Sequence, residues 1–344
     1  MAFKPRFCPR PDCPSHARGE VGGRREPAPR VPFLYRRRGH FRRGCDRRIV
    51  PRFLCLTCKR GFSEQSFRVD YRLRRPELLP LLFLDRVSKV THRQSARNHG
   101  CSRTTEERHF RRLAQHCERF HVERIADIQS LGGLGEDFSL DELHTFEHAR
   151  IRKPLTVPLV TERISHFIVA AEVGTLAALH SKGKSGRRKG DPPRRSQSKQ
   201  KVMATLKVLF DFAPKDRVIS LWTDKKSTYP SLVKEVFGER CTHLTISSHA
   251  PRDGTNPLWT SNHLNASARD GISRLVRRSW AMAKKLRWLH GHLAIWVCYR
   301  NFIRARINAK PLETPAMKLG LEKHPWCVRE LLEWRVFPAV VAQR

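Results

Sequence analysis

Acidic residues are scarce in this chain of 344: Asp and Glu number 32 against 68 Lys and Arg, a formal charge of +36. An excess of that size is not an incidental surface balance, and it makes a polyanion the first partner to consider. Long apolar runs are missing too. No stretch of 18 or more apolar residues occurs, which excludes a hydrophobic transmembrane helix. Lys4, Pro5 and Arg6 stand where a secretory leader would be apolar, so a soluble, intracellular protein with no membrane partner is expected. Disorder throughout is excluded by what is present: 39% hydrophobic residues, with 18 Phe and 7 Trp, can build real cores, and the length suits two or three domains.

Five of the 10 cysteines, Cys8, Cys13, Cys45, Cys55 and Cys58, fall before residue 60, and the rest are scattered singly. In a reducing compartment clustered thiols point to metal and scattered ones to small buried hydrophobes. Cys55 and Cys58, followed by Gly61 and Phe62, have the spacing of a zinc-ribbon knuckle, and Cys8 with Cys13 supplies a looser second pair. Four such sulfurs make a closed tetrahedral zinc site. Cys45 or His16 are alternatives to Cys13. Residues 1–68, crowded with Arg24, Arg25, Arg36, Arg37, Arg38, Arg42, Arg43, Arg47 and Arg48, are thus expected to be a basic zinc ribbon.

Residues 77–120 change character. Leu78, Leu79, Leu82, Val87 and Val90 repeat at helical period, Thr91 can cap a second helix, Gly100 breaks it, and Ser102 can cap a third. In that third helix Phe110 and Leu113 face inward while Arg103, Thr104, Arg108, Arg111 and Arg112 remain for a DNA groove, a helix-turn-helix pattern. An ordinary helical hairpin with a solvated basic face is the alternative.

From Phe138 the pattern turns mixed α/β. Phe138–Leu143, Thr156–Thr161 and Phe167–Val173 read as an antiparallel meander. A basic insertion at 181–201 follows, whose Arg187, Arg188 and Lys189 suit phosphates. Then come a helix at Val202–Phe212, a strand at Val218–Trp222, a helix at Tyr229–Phe237, a strand at His243–Ser247, and two long helices at Asn262–Lys285 and His290–Arg306.

In so basic a chain a carboxylate at the end of a core strand stands out, and Asp141 and Asp224 do. An unpaired buried carboxylate is costly, so both need cations, and divalent metal suits a phosphodiester substrate. Glu142 should face away from Asp141, because strand side chains alternate. Structural roles compete: Asp224 as a cap for the turn before Lys225 and Lys226, Asp141 as an ion-pair partner of arginine.

Taken in order, the zinc knuckle, the helix-turn-helix, Asp141-Glu142, Thr223-Asp224 before Tyr229, and Asn262-His263-Leu264-Asn265 with Arg269, Arg274 and Ser279 resemble bacterial insertion-sequence transposases. The similarity is to the insertion-sequence-one type and its relatives with ISXO2-like catalytic domains, and it spans about Cys8 to Phe302, where Tyr299-Arg300-Asn301-Phe302 looks like the family's closing helix. The resemblance implies an RNase H-like α/β core over 135–306, with three antiparallel strands and then parallel strands with helices, and a C-terminal tail at 307–344. It also implies a DDE-type enzyme that binds terminal inverted repeats and cuts and joins double-stranded DNA with magnesium or manganese. On the DNA it would act as a homo-oligomer, in the cytoplasm at the nucleoid. Position by position, Asp141 matches the first aspartate and Asp224 the second. Asn262 falls where the family usually has a glutamate, although related groups carry Asn there. Arg269 matches the basic residue beside the third ligand, Asp270 is the reserve ligand ahead of Asp253, and His144 and His263 flank the site.

Other classes remain open at this point: a transposase-derived DNA binder without activity, a nuclease of the same fold, or an RNA-binding protein. The last is disfavoured because the aromatics are not spaced like stacking platforms.

Overall fold

The computed structural model describes residues 3–16, 31–128, 133–178, 180–181, 184–185, 194–247, 249–251, 253–276, 285–308 and 310–335. Arg24, Arg25, Lys182, Arg187, Arg188, Lys189 and Ser279 lie outside them.

The N-terminal region folds around β1 (Tyr35–Arg42), β2 (Ile49–Cys55) and β3 (Gly61–Ser63), an antiparallel sheet in that order. Phe53 and Cys55 of β2 are buried with the period of two of a half-covered strand, and Val50 is buried as well, while β1 is an exposed edge strand carrying Arg36, Arg37, Arg38 and Arg42. Phe3, Phe7, Phe53, Phe62 and Phe67 form an aromatic cluster, with Phe53 and Phe62 stacked and Phe67 edge-on to Phe7 and Phe62. Asp70 gathers Arg43 (2.6 Å), Arg48 (3.0 Å) and Arg68 (3.2 Å) where this region joins the next.

Three helices follow: α1 (Leu78–Val87), α2 (His92–Asn98) and α3 (Arg103–Ile128). Thr91 caps α2 in a reciprocal box with Gln94, Gly100 turns the chain at φ +55°, and Ser102 Oγ accepts the Thr105 N–H at 3.1 Å. At 26 residues α3 outruns the segment expected from sequence, because its apolar stripe continues through Cys117, Phe120 and Ile125. One continuous buried cluster includes Leu82 of α1, Phe110 and Phe120 of α3 and residues of the following sheet, so α1 and α3 share a core with it.

That sheet contains β4 (Asp137–Phe146), β5 (Pro154–Glu162) and β6 (Ile168–Ala171), with the two-residue β7 (Gly174–Thr175) beside β5. β8 (His180–Ser181) and β9 (Lys184–Ser185) form a small hairpin within the basic insertion. The chain continues through α4 (Ser198–Phe212), β10 (Ile219–Asp224), α5 (Tyr229–Phe237) and β11 (Cys241–Ile246). Strand order is β11-β10-β4-β5-β6; β4, β5 and β6 are antiparallel, while β10 runs parallel to both β4 and β11. All nine residues of β5 are buried, as expected of a strand covered on both faces. On one face lie Val202, Leu206 and Leu209 of α4 and Val233 of α5. On the other, Leu143, Leu155 and Val157 meet Leu264 and Ala268 of α6 (Trp259–Gly271) and Leu293 and Trp296 of α7 (Leu286–Cys298). This is a mixed α/β fold with a mixed sheet.

The helix expected over Asn262–Lys285 ends at Gly271 and gives way to a tight turn at Ser273–Leu275. Gly271 is closely packed: a Cβ would lie 3.2 Å from the Val87 carbonyl and 3.4 Å from Trp296, so a side chain would have to push its neighbours aside, and the Lys89 N–H donates to the Gly271 carbonyl at 2.8 Å. Beyond α7, the fully buried Asn301 bonds Ile168 of β6 through both amide atoms, at 2.9 Å each. Where a tail was expected, α8 (Pro315–Lys318) and α9 (Val328–Glu333) pack down, with Trp326 and Trp334 against Phe120 and the Leu331 carbonyl 2.7 Å from His116 Nε2. Among the described residues no helix is long and apolar enough to cross a membrane.

Candidate active site and metal centre

Asp141 and Asp224 meet at the middle of the sheet. β10 pairs with β4 as far as Trp222 opposite Ser139, and continuing that register two residues brings Asp224 level with Asp141 on the neighbouring strand. Side chains two apart share a face, so Asp141 points the same way as Ser139, whose hydroxyl bonds Ser261 of α6 at 2.8 Å. Burial raises the Asp141 carboxyl pKa above its ordinary value, and the nearby charge of Asp224 adds to the rise against the opposing Glu142 N–H. Among the described residues neither aspartate forms an ion pair with Lys or Arg. Asp141 accepts the Glu142 N–H at 2.8 Å and the Asn265 Nδ2–H at 2.6 Å; Asp224 accepts only the Lys226 N–H, at 3.2 Å. The arginine partner considered for Asp141 is therefore absent among these residues, while Asp224 does cap its turn.

Glu142 faces the opposite side of β4 and is fully engaged. Thr156 (2.6 Å), Ser198 (2.9 Å), Tyr229 (2.8 Å) and Lys226 all donate to its carboxylate. Burial alone would raise its pKa, but the bonds from Lys226 and Thr156 bring it below the usual value. Glu142 so ties the turn after Asp224 to the strand that carries Asp141.

On the Asp141 face, α6 closes a cleft of about 500 Å³ lined by Asp141, His144, Trp259, Asn262, His263 and Arg269 among others. Asn256 Oδ1 accepts the Leu258 N–H at 2.8 Å and fixes the entry to the helix. The spacing 262, 265, 266, 269 puts these residues on one face. Asn262 lines the cleft, as does Arg269 two turns on, but the amide bonded to Asp141 is that of Asn265, which is 7% exposed. Sequence reasoning quoted Asn265 in the motif without giving it a role; its place three residues after Asn262, on the same helical face, was the signal available. Asp270, the reserve ligand, points away: its side chain is 89% exposed and 3.5 Å from Lys89. Asp253 is also exposed and bonds Thr255.

The second centre lies in the N-terminal region. The sulfurs of Cys8, Cys13, Cys55 and Cys58 all lie within 4.8 Å of one another, a set that can hold a structural metal such as zinc. The Cys8–Cys58 and Cys13–Cys55 separations are both 3.8 Å. Burial raises the Cys55 thiol pKa, but the N–H groups of Cys58 and Thr57 and the adjoining thiols bring it to about 7, favouring the thiolate that metal requires. Of the alternative ligands, Cys45 is exposed and His16 Nδ1 is 2.6 Å from the Cys8 carbonyl oxygen.

The basic residues of α3 divide. Thr104 and Arg108 are exposed, Arg103 is exposed but paired with Glu107 at 2.7 Å, and Arg111 lies over the Trp288 ring. Arg112 departs from its expected groove role: it donates to the carbonyls of Tyr71 (2.6 Å) and Val69 (3.3 Å), and burial lowers its pKa. Arg187, Arg188 and Lys189, expected to bind DNA, fall among the residues outside the description.

No protein-family model matches this chain, and no curated protein does. Among solved structures it is similar to the catalytic domain of Mos1 mariner transposase, at 14% identity and a TM-score of 0.25, over 56% of this chain and 92% of that one.

Proposed function

We propose that the chain is a DDE-type transposase with an RNase H-like core, which binds the ends of a mobile element and carries out divalent-metal-dependent cutting and joining of double-stranded DNA. The observation that carries this reading is the pair Asp141 and Asp224, level on adjacent central strands and with no arginine ion pair among the described residues, in a chain of charge +36. The strand order, with three antiparallel strands followed by two parallel ones added on the first strand's far side, supports the RNase H-like assignment.

The donor set fits magnesium or manganese: Asp141, Asp224 and an amide oxygen of Asn262 or Asn265 are hard oxygen ligands. When bound, such an ion supplies Lewis-acid chemistry at the scissile phosphate. The chain's own residues do the rest. Glu142 holds the Asp224 turn, Arg269 stands on the cleft side of α6 where it can meet a phosphate, and the exposed face of α3 with Arg103, Thr104, Arg108 and Arg111 grips duplex DNA. A homo-oligomer on the DNA follows from the need to hold two ends together.

One observation favours a second reading, an inactive transposase-derived DNA binder: among the described residues, no carboxylate other than Asp141 and Glu142 lines the cleft. The test is magnesium-dependent cleavage of a labelled element end by the whole protein, alongside Asp224→Asn. Cleavage by the parent that falls at least roughly 100-fold in the variant supports the enzyme. An inert parent rescued by Asn262→Glu or Asn265→Glu supports degeneration, and cleavage unaffected by Asp224→Asn removes that residue from the chemistry.

A further inference from the structure

The cleft beside Asp141 has an aromatic wall. Trp259 and His263, one turn apart on α6, lie parallel, with ring centroids 5.2 Å apart and an interplanar angle of 9°, and both line the cleft. His166 backs them, 5.5 Å from the Trp259 ring and 6.2 Å from His263, and is itself 5% exposed. The start of the helix that carries the stack is anchored: the Trp259 backbone N–H donates to the Asn256 carbonyl at 2.8 Å, and the adjoining Thr260 hydroxyl donates to the Arg163 carbonyl. The Arg269 side chain lines the same cleft.

A flat, rigidly backed ring pair next to a carboxylate and a guanidinium suits a ligand that has a π-face and a phosphate, and a nucleobase joined to its backbone has both. In a duplex that face is covered by neighbouring bases, so only an unpaired one can reach the wall. We propose that Trp259 and His263 form a stacking site for one unpaired base at the DNA end held in the cleft. The polymer's identity rests on the function proposed above; the stacking itself requires no catalysis. The platform escapes a search for aromatic spacing because half of it is histidine.

The experiment uses the full chain without added divalent metal. Fluorescence anisotropy compares a duplex oligonucleotide carrying a short single-stranded overhang of normal nucleotides with the same duplex carrying abasic nucleotides there. The parent should bind the base-bearing overhang roughly fivefold or more tightly than the abasic one. The preference should vanish in Trp259→Ala and return in large part in Trp259→Phe, with circular dichroism checking that each variant is folded. Equal affinity of the parent for the two overhangs overturns the stacking site, whatever the variants do. A preference that survives in folded Trp259→Ala overturns the assignment to Trp259. A base preference in a protein that never cleaves DNA would leave the stacking site standing and sink the enzyme.

Discussion

Two aspartates show how this basic chain treats negative charge. Asp70, at the junction of the cysteine-bearing region with the helices, is saturated by Arg43, Arg48, Arg68 and the Gln65 amide. Burial would raise its pKa, but the guanidinium groups hold it down at about 2. Asp141, at the sheet centre, is also removed from water, yet its nearest ionised neighbours include Asp224 and Glu142, and its pKa goes up. Asp70 has three arginine partners, whereas no Lys or Arg among the described residues forms an ion pair with Asp141. The charge of the first acid serves the fold; that of the second is left unpaired among those residues, as the proposed metal site needs.

The contrast breaks if the two acids respond alike to removal of charge. Asp70→Asn should cost about 3–5 kcal/mol of unfolding free energy, since it strands buried guanidinium groups. Asp141→Asn should leave stability unchanged within about 0.5 kcal/mol or raise it, while magnesium-dependent cleavage falls at least roughly 100-fold. Urea unfolding and an end-cleavage assay on the same preparations decide it. A stability loss at Asp141 matching that at Asp70 would make Asp141 structural.

The pH dependences sharpen it further, because they have opposite signs. The Asp70 pKa is depressed on folding, so its stabilisation, about 2–3 kcal/mol, is complete above pH 4 and is lost as pH falls through about 2. The Asp141 pKa is raised, so the folded state carries a penalty above that raised value and sheds it as pH falls below. Any gain from Asp141→Asn should therefore be greatest at neutral pH and shrink in acid, which urea midpoints across a pH series would show. A gain constant with pH would place its cause elsewhere.

The same distinction reaches the arginines of α3, with the smallest expected effect. Arg108→Ala should lower the salt dependence of DNA binding by about one unit of slope. Arg112→Ala should leave that slope alone and instead cost about 1–2 kcal/mol of stability, having lost its carbonyl partners. Affinity titrations across salt concentrations separate the two; an equal fall in slope would return Arg112 to the DNA.

Sequence carried much of the core. The alternation at the start of β4, the apolar run of β5, the amphipathic run Tyr229–Phe237 and Asp224 at the end of β10 are local signals, and local signals survive without coordinates; Asp141, expected at a strand end, lies in the middle of β4. The cleft wall was harder. Choosing among Asn262, Asn265 and Asp270 depends on which face of α6 meets the sheet, and at about 100° per residue Asn265 and Asp270 lie on opposite flanks of Asn262. That rotation is set by the Ser139–Ser261 contact and the packing of Leu264 and Ala268, all long-range. Arg112 was hidden for the same reason: its sequence neighbourhood looks like a basic helix face, and only folding brings Val69 and Tyr71 beneath it. In the last turn of α6 a glycine, an unremarkable helix end by sequence, proves to be a docking point.

That docking at Gly271 has a mechanical consequence. The backbone after α1 is bonded to the end of the helix whose other turns line the cleft, and a methyl group at Gly271 would crowd the Val87 carbonyl and Trp296. Helix α1 is thereby tethered to the helix that closes the cleft. Under the function proposed above, a duplex held by α3 would reach Asp141 at a set number of base pairs from the grip, so the cut would be placed by length as well as by letter.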